Sequence, residues 1–88
     1  MFQMAIDQTG ASPVETGANG DVLFDLGLMF STGRDGIVDF VAAHKWFNLA
    51  ALKGRVDAIQ LRRELAEQMS VEDIALAQRE ARAWMTAH

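Results

Sequence analysis

Few side chains in this sequence could do chemistry, and their spacing argues against most of what they could do. His44 is the one internal histidine, with His88 the last residue. A metal site on a helix needs a second ligand three or four residues away, and those positions hold Phe47 and Asn48. Grouped with Lys45 and Asn48 on the polar side of its segment, His44 is expected to be solvated. Asp35 and Asp39 flank a glycine but lack the alternating oxygen ligands and closing glutamate of a calcium loop, so a turn and a helix cap are expected there. Ser31 has no base at a spacing that suggests a triad, and G-x-S-x-G, P-loop, G-x-G-x-x-G and H-E-x-x-H patterns are all missing. The chain has no cysteine, which removes thiol nucleophiles, thiolate zinc sites and disulfides together. No catalytic, cofactor-binding or metal-binding residue is therefore assigned, and an enzyme is not expected. Lys53, Arg55, Arg62 and Arg63 form a basic corner that could touch phosphates. The whole chain carries 8 Lys and Arg against 12 Asp and Glu, a net charge of −4 that opposes nucleic acid. Solubilising charge, partly paired with Glu64 and Glu67, is the expected role, with a small nucleic-acid-binding regulator as the alternative.

The elements that would position these groups are helical. With 88 residues, half of them hydrophobic, the chain has room for one modest core. Residues 1–20 gather Gly, Ser, Thr, Asn and the one proline, Pro13, after an apolar tip of Met1, Phe2, Met4 and Ile6, and a flexible arm is expected. Asp21 is then expected to cap a first helix that runs to Thr32 and stops at Gly33, with Leu23, Leu26, Gly27 and Phe30 on one face and Phe24 and Leu28 on a second. Asp39 caps a second helix in which Ala43, Trp46, Phe47 and Ala50 share a face, ending at Gly54. A third helix over Val56–Met69 would turn Ala58, Leu61, Leu65 and Met69 inward, and Ser70 opens a fourth with Ile74, Ala77, Ala81 and Trp84 in a narrow stripe. Period-two alternation is absent, so the fold class is all-α. No basic leader or stretch of roughly 18 to 20 apolar residues occurs, and a cytoplasmic location off the membrane is expected.

Taken as one unit, Leu26-Gly27, Phe30, Gly33, Asp39, Ala43, Trp46, Ala50-Ala51, Gly54 and Ala58 resemble the Sel-one-like repeat, a relative of the tetratricopeptide repeat with the pattern Leu-Gly, Tyr, Gly, Gly-Val, Asp, Ala, Trp, Ala-Ala, Gly, Ala. The match covers roughly 40 residues, about one repeat. It departs from the family in placing the second glycine, Gly36, one position late and in carrying Phe30 for tyrosine. Thirty-six residues after Leu26 and Gly27 stand Arg62 and Arg63, which cannot make the same close contact, so residues 57–88 are expected to form a degenerate terminal hairpin and capping helix. The resemblance implies an α/α superhelix of tetratricopeptide-like hairpins, about one and a half repeats, with residues 21–56 as the repeat proper.

In that arrangement Gly27 lets the first helix approach the second, and Phe30 and Trp46 fill the space between. The resemblance implies an adaptor or scaffold for a protein partner. Its concave face would present Asp21, Phe24, Leu28, Ser31 and Thr32. An incomplete array of roughly 68 residues, without metal or disulfide, has little core of its own, and a homodimer through the first helix or the Trp84 and Met85 end is expected.

Overall fold

Helix boundaries follow from local capping chemistry. The computed structural model describes residues 19–87, so the arm over residues 1–18 lies outside the described residues. Four helices follow in order: α1 (Gly20–Thr32), α2 (Phe40–Leu52), α3 (Asp57–Ala66) and α4 (Val71–Ala87), with no strand among the described residues. The fold is all-α, as the periodicity predicts.

The cap of α1 is Asn19, not Asp21: its side chain accepts a hydrogen bond from the Val22 N–H at 3.0 Å. Asparagine stands before the helix with extended backbone, whereas Asp21 falls inside the first turn, where its charge still suits the positive end of the helix. Asn19 and Gly20, counted with the arm, therefore belong to the start of α1. At the other end Gly33 adopts φ 72 and donates to the Met29 carbonyl. The Asp39 N–H then reaches back to the Phe30 carbonyl at 3.0 Å, which folds the connecting loop against α1.

Asp39 caps α2 as expected, accepting from the Ala42 N–H at 3.0 Å. Beyond α2, Gly54 at φ 103 permits a Schellman turn: Gly54 donates to Ala51 and Arg55 to Ala50, satisfying two terminal carbonyls. The third helix is shorter than Val56–Met69, beginning after Val56 and passing into a turn after Ala66. The Ser70 hydroxyl caps α4 by accepting from the Asp73 N–H at 3.1 Å.

The centre of the fold is α2. Helices α1, α3 and α4 all pack on it, and it contributes Ala43, Phe47, Leu49 and Ala50 to the core. Leu23 from α1, Ala58 and Leu65 from α3, and Ala81 from α4 complete that cluster. A side chain on almost every side of α2 is covered, which is the pattern of a helix surrounded by neighbours.

One packing expectation needs correction. A methyl group at Gly27 would fall on the Phe47 ring, so the aromatic that meets Gly27 between α1 and α2 is Phe47, not Trp46. Trp46 instead meets Trp84 of α4 edge-on, with ring centroids 5.8 Å apart. Helical geometry accounts for the exchange, since adjacent residues point about 100° apart and only one of the two aromatics can face α1.

Candidate functional site

An open groove of about 320 Å³ lies where α1 and α3 stand side by side over α2. From α1 it is lined by Leu28, Ser31 and Thr32, from α2 by Phe40 and Phe47, and from α3 and the turn beyond by Leu61, Glu64, Leu65 and Gln68. The spacing within each helix explains the lining. Leu61 and Leu65 are one turn apart on α3, and Leu28 is one turn before Thr32 on α1, so each helix offers a strip to the same trough. The Ser31 and Thr32 hydroxyls both donate to the Leu28 carbonyl, at 3.2 and 2.7 Å, and keep only their acceptor lone pairs for another molecule. Glu64 is the charged lining residue, and it accepts from Gln60 at 3.0 Å. The result is an apolar trough with a carboxylate on one rim.

The five residues expected to face a partner divide between two places. Leu28, Ser31 and Thr32 line the groove. Asp21 and Phe24 belong instead to a clamp built by Arg55, which precedes α3. Its guanidinium donates to Asp21 at 2.9 Å and through two nitrogens to Asp57 at 3.0 and 2.8 Å, while its central carbon sits 3.8 Å from the Phe24 ring centroid. The hydrogen bonds to Asp57 push the arginine further towards permanent charge and hold the Asp57 carboxyl below the usual carboxylate range. Phe24 also packs against Phe47 at 5.7 Å between centroids. The second apolar face of α1 is thus half covered by the chain itself, through a residue that sequence reasoning assigned to a basic corner.

That corner is not a free cationic patch. Arg55 is committed to Asp21 and Asp57, and Arg62 donates to Asn48 on α2 at 2.6 Å, leaving Lys53 and Arg63 exposed. The expected pairing with Glu64 and Glu67 is replaced by these contacts.

His44 is the clearest departure from expectation. It is 3 % exposed, and its Nδ1 is buried without a hydrogen-bond partner. Burial, and then the charge of Arg62, push its pKa below the ordinary imidazole value. The polar-side assignment failed because Asn48 and Arg62 form a polar seam between α2 and α3, so a polar residue on that side of α2 is enclosed rather than solvated. No cluster of three or more His, Cys, Asp or Glu side chains that could hold a metal ion exists among the described residues.

A second, smaller cleft of about 220 Å³ lies between the C-terminal parts of α2 and α4, lined by Leu49, Leu52, Lys53, Trp84 and Met85. Leu52 is 62 % and Met85 51 % exposed, so its apolar lip faces outward.

Neither protein-family models, nor curated proteins, nor solved structures match this chain. No helix among the described residues is long and apolar enough to cross a membrane.

Phe40, Phe47, Leu61, Glu64, Leu65 and Gln68 were not anticipated as groove residues. Leu61 and Leu65 carry a legible signal, an apolar pair one turn apart, and the sequence assigns such a pair to the core; Leu65 is buried there, whereas Leu61 stays half-buried where the groove runs between α1 and α3.

Proposed function

We propose that the protein is a small helical binding module, built on a Sel-one-like hairpin and without catalysis of its own, that holds an amphipathic helix of a protein partner in the α1–α3 groove. The observation that carries this reading is the trough itself: apolar side chains from three helices converge on one open strip, and its rim bears one carboxylate. The fitting partner has apolar residues one turn apart and a Lys or Arg beside them to meet Glu64. His44 is buried away from the groove lining, so the Ser31 and Thr32 hydroxyls, both already donating to the Leu28 carbonyl, have no imidazole beside them in the groove, which supports a non-catalytic role.

Selection of helical peptides from a random display library against the full chain tests this. Enrichment of apolar pairs at i and i+4 flanked by a cation is expected. Binding of the selected peptides should weaken roughly tenfold or more with Leu28→Ala plus Leu61→Ala. Glu64→Lys should weaken it by a smaller factor that shrinks in salt. Peptides indifferent to both changes would show that they do not bind in the groove, and a separate titration with duplex DNA, showing salt-dependent binding lost on Lys53→Ala plus Arg63→Ala, would favour the alternative regulator.

Self-association is a second reading, supported by the outward lip of Leu52 and Met85 beside Trp84. It predicts a dimer in sedimentation velocity that Met85→Glu shifts towards monomer. Parent protein that stays monomeric over a hundredfold concentration range sinks the homodimer.

A further inference from the structure

We propose that His44 makes the groove acid-sensitive: its protonation releases α3 from α2 and takes the Leu61 and Leu65 wall of the groove away. The inference rests on the binding reading for its biological sense, but it concerns a movement within the protein.

The geometry is a polar seam between two helices. His44 and Asn48 lie one turn apart on α2, and Arg62 reaches from α3 to donate to Asn48 at 2.6 Å. His44 is enclosed beside it with Nδ1 unpartnered. A proton added to this ring places a second positive charge next to Arg62 in a site that provides no acceptor for it at Nδ1. The carboxylates of the surrounding elements are engaged or turned away. On α1, Asp21 and Asp25 pair with Arg55 and Arg34; on α3, Asp57 pairs with Arg55, Glu64 lines the groove, and Glu67 just beyond is exposed; on α4, Glu72, Asp73 and Glu80 are exposed. Asp39, which caps α2, is exposed and bound to the Ala42 N–H. Relief comes most directly from moving α3, because α3 carries Arg62 and packs on the face of α2 that holds His44. The same movement separates Leu61 and Leu65 from Phe40 and Phe47, so the groove loses its wall.

The direction with pH is fixed. Because the folded-state pKa lies below the unfolded value of 6.5, the closed form is fully favoured above 6.5 and weakens as pH falls, until the folded pKa is passed. One proton is taken up on opening, so the closed-to-open ratio falls by at most about tenfold per pH unit in that window.

Amide hydrogen exchange of the full chain between pH 7.5 and 5, expressed as protection factors, reads this segment by segment. Protection across Leu61–Leu65 is expected to fall below pH 6.5 while the α1 and α2 amides facing each other keep theirs. His44→Gln, which stays polar but cannot take the proton, should flatten the dependence. If Gln is not tolerated, the NMR titration of the His44 ring in the parent serves instead, and its midpoint should coincide with the loss of α3 protection. Unchanged α3 protection across the titration, or simultaneous loss throughout the molecule, overturns the proposal. Because no peptide enters this measurement, it can fail while the binding reading stands, and the reverse.

Discussion

Replacing Gly27 with leucine is expected to leave a chain without stable tertiary structure at ambient temperature. The reason lies in one contact. A single methyl at this position already overlaps the ring of Phe47, which is 2 % exposed and has Phe24 against it at 5.7 Å between centroids. The ring cannot retreat, so α1 would have to move away and uncover Leu23, which is fully buried. Forcing extra carbon into a filled core costs about 1–3 kcal/mol or more, and a domain of this size seldom holds more than about 3–5 kcal/mol in total. The gain in helix propensity on losing glycine is only about 1 kcal/mol and does not offset it. Gly27→Ala is the milder form, destabilising in net despite that gain, and is measured by urea denaturation followed by far-UV circular dichroism. A leucine variant with the parent's transition midpoint would mean that α1 and α2 do not meet here.

The same contact can be isolated by a cycle. Phe47→Leu removes Cε1, one of the three ring atoms that the new methyl strikes, and replaces the rigid ring plane by a branch that can turn aside, so the Gly27→Ala and Phe47→Leu changes together should be less damaging than their sum, by at least about 0.5 kcal/mol. Strict additivity would place the strain of the alanine elsewhere.

This contact also shows how far the sequence could be read. Gly27 as the point of close approach was legible, because a glycine on the apolar face of a helix has few other uses. Its partner was not. Trp46 and Phe47 are neighbours, both aromatic, and a rotation of about 100° decides which one faces α1. Caps read well where one residue type dominates, as at Asp39 and Ser70, and less well at Asn19-Gly20-Asp21, where two good caps stand two residues apart. The groove was half legible: Leu28, Ser31 and Thr32 follow from the outer face of α1, whereas the α3 wall depends on how two distant helices sit on α2. His44 was misplaced for a related reason, since burial of a polar residue depends on the partner helix rather than on its own periodicity. Arg55 shows the same limit, because a contact across 34 residues to Asp21 leaves no trace in local pattern.

Trp84→Ala is expected to undock the C-terminal half of α4 while α1 and α2 stay paired. Of the helices, α4 rests on α2, and its buried residues are Ala77 and Ala81. Alanines permit a close approach but bring little apolar area to it, so the large side chain at the end of the stripe carries much of the attachment. Trp84 meets Trp46 at 5.8 Å with the rings 83° apart, a favoured edge-on arrangement. It is half-buried, so the loss should fall below the 3–5 kcal/mol typical of a core tryptophan, at roughly 2 kcal/mol. Freed from α2, the C-terminal half of this 17-residue helix is too short to hold itself in water and should fray from its end. Amide exchange should therefore accelerate in α4 well before it does in α1 and α2. The remaining indole, Trp46, should emit at longer wavelength, because loss of the Trp84 edge opens one side of it to water, while Lys45 stays 4.4 Å from its centroid. Trp84→Phe keeps an aromatic edge against Trp46 and should retain most of the protection. If α4 amides in the alanine variant exchange as slowly as in the parent, the alanine stripe holds the helix by itself and the tryptophan pair is incidental to the fold.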